Sequence, residues 1–281
     1  MFCDKSPDLQ PPDYESTERL LAEEEGHIWT GDEDDDTCIT TATIFLQFIA
    51  LAMVFLVGTL FGFFWRGDLD GLCGPYVSRY SPLVDEVSVK YHLDSFDGAF
   101  LKENIFRQDA SPDVDAAWDS LGVNYRGVRV SDTDAEKSGL ASYQVKIKDR
   151  YGGGYPAKVE GFQHLHCLNV LRQSLYYNYD YYHSQGQGVF STNDYIARRQ
   201  VSYCLDVLRQ QLMCTVDTGV VGQVWMYPEN PEPYADMNTR HKCKNFDDIR
   251  QWAEDNQLPE NPPDDFLQQP RPGDLIYKRM P

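Results

Sequence analysis

The chain has 281 residues, with 44 acidic against 25 basic side chains and a formal net charge of −19. Neutralising phosphate needs a basic surface, so this balance excludes a nonspecific nucleic-acid binder. With 42% hydrophobic and 13% aromatic residues, the chain has ample material for a core, and full disorder is excluded.

Thirteen of the acids precede position 37, against Lys5 and Arg19, so residues 1–36 carry −11 and everything after them −8. Like charge, several prolines and low hydrophobicity predict a disordered, solvated tail over residues 1–36. From Thr37 to Trp65 the sequence TCITTATIFLQFIALAMVFLVGTLFGFFW holds no ionisable side chain except the Cys38 thiol. As a helix this run reaches about 43 Å, more than the roughly 30 Å hydrocarbon layer requires. Residues 37–66 therefore read as a single transmembrane helix, with Phe61, Phe63, Phe64 and Trp65 as interfacial aromatics. A signal peptide fits badly, because the acidic lead is long and no small-residue cleavage site follows. Lys and Arg are sparse on both flanks, so charge barely votes on orientation. The expected placement is single-pass, with the C-terminal part in the lumen of the secretory pathway, although no Asn-x-Ser/Thr sequon supports it.

Residues 67–258 are long enough for one compact domain, and the proline-rich stretch 259–281 reads as an extension that drapes over it or stays mobile. The overall class expected is α+β: one N-terminal transmembrane helix, then a domain built around a pair of similar packed helices. Residues 67–82 read as a turn-rich connector, and Val84–Leu93 alternates loosely as a strand. Pro112 and Asp113 open a short helix closed by Gly122, and Val123–Val130 is strand material with a turn at Gly127. Another strand is expected near Tyr143–Ile147. The glycines at 152–154 lack a following Gly-Lys-Ser/Thr, so they form a turn and not a phosphate loop.

Two segments then match each other. Gln163-His-Leu-His-Cys-Leu-Asn-Val-Leu-Arg-Gln173 and Gln200-Val-Ser-Tyr-Cys-Leu-Asp-Val-Leu-Arg-Gln210 share C-L-[N/D]-V-L-R-Q at an offset of 37 residues. The leucine spacing predicts two helices that bury Leu168, Leu171, Leu205 and Leu208 against each other, with Cys167 and Cys204 on related faces. Packing accounts for the leucines; the matched Cys, Arg and Gln suggest a shared site or shared disulfide chemistry. Arg172 and Arg209 either bind a carboxylate or salt-bridge Asp206 and its neighbours. Tyr176–Tyr182 (YYNYDYY) reads as packing material that could also line a peptide groove.

These segments resemble the UstYa-like family of fungal oxidases, whose hallmark is a pair of HxxHC motifs, each followed by a leucine-and-arginine helix. YNYDYY after the first motif, LMCTVDTG and GQVW after the second, and NTRHKCKNFDDIRQWA at Asn238–Ala253 extend the likeness over most of residues 67–256. The resemblance implies a membrane-anchored oxidase acting on a peptide precursor in fungal mycotoxin biosynthesis, by oxidative cyclisation or hydroxylation, with copper as cofactor. This chain departs from the motif: Gln163 stands at the first leading position, and Gln200 and Tyr203 replace both histidines of the second. The residues carried over as catalytic are His166, His164, Cys167, Tyr203 and Cys204, and the metal ligands expected are His166, His164 and His241, with His183 a further candidate. His164 and His166 point apart on a helix and converge only if this stretch is extended. Tyr203 would shape the pocket or act as a non-imidazole ligand.

In an oxidising lumen the five cysteines after the membrane segment permit two disulfides with one left over. Cys204 and Cys214, about 15 Å apart along one helix, cannot pair. Cys167–Cys204 with Cys214–Cys243 is one scheme; thiolate ligation is the alternative. Expected partners are the precursor peptide, the membrane, and a homo- or hetero-oligomer with a paralogue, with no nucleic acid. The competing functional reading is a non-catalytic partner of an intact paralogue, motivated by the lost histidines.

Overall fold

A computed structural model describes residues 33–64 and 69–278. Residues 1–32 of the expected tail lie outside these described residues, as do 65–68. The chain divides into two units, Met1–Arg66 and Gly67–Pro281, which are taken separately.

The first unit contributes α1, Glu33–Phe64. Thr43–Phe64 within it has a mean hydropathy of 2.5 and none of it is buried, so it is long and apolar enough to cross a membrane. The Thr59 hydroxyl donates to the Phe55 and Leu56 carbonyls at 2.9 Å, which satisfies a polar group inside an apolar helix. The helix begins four residues before the apolar run, since helix propagates readily once nucleated.

The second unit mixes helices with small sheets. It opens with α2 (Leu69–Val77) and α3 (Pro82–Glu86), where a turn-rich connector and a strand were expected. The strand β1 starts later, at Tyr91–Ser95. Pro82 takes the first helical position after Ser81, where its missing N–H costs nothing, and this converts the start of the expected strand into helix. A 3-10 turn at Ile105–Arg107 precedes α4 (Pro112–Asp119), whose N-cap Ser111 accepts from the Val114 N–H. The helix stops at Asp119, three residues before Gly122, which at φ 84° lies within the turns that follow.

β2 is confined to Val128–Val130 and pairs antiparallel with β3 (Tyr155–Ala157); between them lies the short helix α5 (Asp132–Ala135). Gly152, Gly153 and Gly154 all have positive φ. A Cβ on Gly154 would collide with the Val130 carbonyl, so the glycine run is a turn fitted to the β2–β3 ladder. No strand forms at Tyr143–Ile147; Ile147 makes one isolated bridge to Leu267 and is fully buried. That bridge is how residues of the C-terminal extension drape over the body. Phe266 is buried, and the Lys148 N–H donates to its carbonyl at 2.9 Å.

α6 (Glu160–Gln173), α7 (Tyr179–Gln185) and α8 (Asp194–Cys214) follow, then the hairpin β4 (Gln223–Met226) and β5 (Glu232–Ala235), β6 (Arg240–Lys244) and α9 (Phe246–Asp255). β6 pairs antiparallel with β1, joining the two ends of the unit. α6 and α8 pack together as expected, and a disulfide links Cys167 to Cys204 with Cα atoms 4.7 Å apart. Around it cluster Val170, Tyr182, Phe190 and Ala197, with Val201 and Leu208 partly buried. The leucine seam was misplaced. Leu168 and Leu205 are exposed, because the disulfide fixes the rotation of both helices and turns Cys167 and Cys204, not the residues beside them, toward the contact. A second cluster of Val114, Trp118 and Val123 receives Leu165 from another side of α6.

Cys214–Cys243, the other expected pair, does not form: Cys214 is exposed at the end of α8 and Cys243 is free in β6. The matched arginines also diverge. Arg209 meets exposed Asp206 at 2.8 Å, as one reading held. Arg172 is buried and donates to Asp115 at 2.8 Å, Tyr182 at 2.6 Å and Asn169 at 2.9 Å. Tyr182 in turn donates to Asp115 at 2.6 Å, and burial pushes its phenol well above the ordinary value.

Removing Arg172 leaves a buried phenol and amide short of a partner, so Arg172→Ala destabilises by about 2–4 kcal/mol. Arg209→Ala changes stability by no more than about 0.5 kcal/mol. Denaturant melts of the two variants check the contrast. The Cys204→Ala variant loses about 2–4 kcal/mol in the same assay, an effect reproduced in the parent by reductant.

Candidate functional site

The first motif lies wholly on a helix. α6 begins at Glu160, so Gln163, His164, His166 and Cys167 each advance by about 100°. Gln163 and His166, three apart, share a side; His164 and His166, two apart, are separated by about 200°. The extended stretch that would bring both histidines together does not occur, because the helix starts three residues before Gln163.

His166 faces inward. Its Nδ1 lies 3.1 Å from the Val123 carbonyl oxygen, which only accepts, so Nδ1 carries a proton and the neutral tautomer with its lone pair on Nε2 is the one selected. A backbone carbonyl that fixes the tautomer in this way leaves Nε2 ready to act as base or ligand. The ring borders a cavity of about 10 Å³, room for one water, walled also by Gln163, Lys158, Tyr125 and Phe162. Gln163 Oε1 accepts from Lys158 Nζ at 3.3 Å. Glutamine thus occupies the leading position of the motif beside the imidazole, held by a cation from the segment after β3.

Tyr125 separates this cavity from an open groove of about 490 Å³ between α9 and the end of α4. Asp119, Asp247 and Glu254 line it with Phe246 and Arg250. Arg250 donates to the Tyr125 hydroxyl at 3.0 Å and to Glu254 at 2.8 Å, so its charge is already matched. Burial raises the Tyr125 phenol above its ordinary value, partly offset by Arg250. Nothing in the motif pattern pointed to Tyr125 or Lys158, which flank the β2–β3 ladder and border the cavity beside His166, or to Arg250, which reaches Tyr125 from α9.

The other expected site residues are elsewhere. Tyr203 and Gln200 are exposed on α8 and line neither space. Cys167 and Cys204 are consumed in the buried disulfide and present no thiolate. His241 sits in β6, stacked on Phe96 at 3.8 Å, with Nδ1 2.7 Å from Asp217 and Nε2 2.6 Å from the Thr239 hydroxyl. Both its nitrogens are engaged in hydrogen bonds, away from His166. His183 lies 3.3 Å from exposed Asp194. Among the described residues no group of three His, Cys, Asp or Glu side chains stands ready for a metal ion. The donor set therefore does not fit copper held by His166, His164 and His241, and no reaction step is derived through a metal.

The family model described as mycotoxin biosynthesis protein UstYa matches residues 34–256. The chain belongs to the UstYa family. Its curated relatives include the UstYa family oxidase aprY of Aspergillus flavus, 26% identical over 65% of this chain and 57% of that protein. The UstYa family oxidase phomYc' of Diaporthe leptostromiformis is 25% identical over 64% of this chain and 63% of the relative. A protein named transacylase cctO, from Talaromyces islandicus, is 25% identical over 66% of this chain and 62% of its own length. The chain thus spans about three fifths of the length of these relatives. No solved structure matches.

The His241 environment yields a reactivity prediction. Burial raises the Cys243 thiol, and Asp94 and Asp217 raise it further. The thiolate is the reactive form, so at pH 8 Cys243 is alkylated more slowly than a free thiol of pKa about 8.5, and the rate keeps climbing above that pH. Peptide-resolved iodoacetamide labelling across pH measures it. The Asp217 carboxyl is held below its ordinary value by the Gly219 N–H and His241. Whatever stability this gives is present above the unfolded carboxyl's pKa and is lost as pH falls through the lower folded value.

Proposed function

We propose that this UstYa family member is a single-pass membrane-anchored oxidase acting on a peptide precursor in fungal secondary metabolism, by oxidative cyclisation or hydroxylation. The family match over residues 34–256, to relatives named as oxidases, carries the reading. α1 supports the anchor, and the Cys167–Cys204 disulfide supports a luminal position for residues 67–258 as one compact domain, since such bonds persist in oxidising compartments. His166, with Nδ1 fixed by Val123 and Nε2 available, is the residue placed to hold or remove a proton. The groove beyond Tyr125 is the space large enough for part of a peptide. Its excess of carboxylates favours a cationic side chain there.

A second reading rests on a specific observation: Gln200 and Tyr203, at the two histidine positions of the second motif, are exposed, and no three-donor group forms among the described residues. In it the chain is a non-catalytic anchor for an intact paralogue. Copper, if it is used, then belongs to a site that this chain does not complete alone.

Full-length protein incubated with its precursor peptide, copper and oxygen separates the readings. The oxidase reading expects peptide oxidation by this chain alone, reduced at least about 100-fold in His166→Ala. Activity that appears only on adding an intact family member, and that His166→Ala leaves unchanged, supports the second reading and removes the first. The Gln163→His variant places two imidazoles three apart on the cavity side of α6. It raises copper affinity by at least about tenfold by equilibrium dialysis, whereas Tyr203→Ala leaves it unchanged.

A further inference from the structure

The segment from the last turns of α8 through β5 buries little within its own chain. Leu205 and Leu212, seven residues apart and therefore on one side of α8, are 60% and 71% exposed. All eight strand residues of the β4–β5 hairpin are exposed, Trp225 among them at 74%. A lone two-stranded hairpin is marginal in water and needs further strands or a packed face. Side chains of this size contribute about 100 Å² or more each, so Leu205, Leu212, Val216, Val224, Trp225 and Tyr227 together approach the roughly 800 Å² per partner of a standard interface.

The backbone says how the hairpin is left open. The Asp236 N–H donates to the Gly222 carbonyl at 2.9 Å, which sets the alternation of the ladder. Gly222, Val224 and Met226 therefore bond inward to β5, while Gln223 and Trp225 turn their N–H and C=O groups outward. On β5 the outward positions opposite these are Ala235 and Pro233, and Pro233 has no N–H to offer. One edge is blunted and the other, β4, is complete and uncharged. Such an edge is a template for another strand.

We propose that a second copy of this chain docks here, β4 against β4 in antiparallel register about a two-fold axis through Val224. Gln223 of each copy then exchanges hydrogen bonds with Trp225 of the other, giving a four-stranded sheet, with the Leu205–Leu212 faces covered alongside. Two observations favour this occupant. The pairing closes on itself, because the Pro233 edges end up outermost and cannot recruit a third copy. The segment 216–239 holds Asp217, Glu229, Glu232 and Asp236 and no Lys or Arg, which disfavours the headgroup layer of an anionic membrane. Within the four-stranded sheet, Glu232 falls on the outer strands, away from its counterpart. The inference does not depend on the reaction proposed above.

Light scattering on detergent-solubilised full-length chain at about 20 μM is expected to give a dimer. Trp225→Pro removes an outward N–H, as Pro233 does on β5, together with the exposed indole, and Leu212→Glu charges the α8 face. Each shifts the dissociation constant by at least about 100-fold toward monomer, with far-ultraviolet circular dichroism showing the fold retained. Under mild oxidation Val224→Cys gives a covalent dimer whose 224–224 linkage is read by peptide mass spectrometry, and Ala235→Cys on the outer strand does not. A monomeric wild type, or a dimer indifferent to both Trp225→Pro and Leu212→Glu, overturns the proposal. So does dimerisation seen only with a different family member, or quenching of Trp225 fluorescence by brominated lipid in vesicles. All of these outcomes are read without peptide oxidation, so they stand apart from the fate of the oxidase reading.

Discussion

The Cys167–Cys204 bond sets the phase of everything around it. Two segments 37 residues apart in sequence are joined covalently at one place in their helix contact, and the rotation of each helix there decides which side chains face inward. With both sulfurs at the contact, Val170, Val201 and Leu208 turn inward, and Leu168 and Leu205 turn out. The same rotation directs His166 toward Val123 and the small cavity beside Gln163, and His164 to the far side of the helix. The covalent link and the placement of the imidazole are thus one geometric fact.

A buried polar network reinforces this arrangement. Arg172 lies five residues beyond Cys167 and draws Asp115 from α4, Asn169 from its own helix and Tyr182 from α7 into mutual contact. The cation is charge-matched and its donors are occupied, which is the condition under which burying a guanidinium is tolerable. Its counterpart Arg209 reaches only a neighbour on its own exposed helix face. Near-identical sequence in the two segments therefore serves different ends: the first is the centre of the fold, and the second is built into it only as far as Cys204 and Leu208.

That asymmetry bears on function. The family motif supplies two sets of donors, and this chain keeps one imidazole facing a space the size of a water molecule. The second set lies on an exposed helix that leads directly into an uncovered hairpin. The segment that carries the second motif also leaves a helix face and a hairpin uncovered.

Several features were legible in the sequence because their causes are local. The apolar run of α1, the Pro112 helix, the glycine turn at 152–154 and the two matched helices each follow from periodicity or backbone chemistry within a few residues. Family membership was legible for the same reason, through contiguous motifs. The leucine seam, the second cysteine pair, the helical connector after the membrane segment and the converging ligand set were not. Helix phase, and the placing of Tyr125 and Lys158 around the cavity beside His166, depend on pairings between β2 and β3 and on packing between distant helices. Sequence by itself determined which elements form and which family they make. Only the tertiary structure decided which faces meet, because a rotation of one helix by a single residue, about 100°, changes every partner while leaving the helical pattern intact.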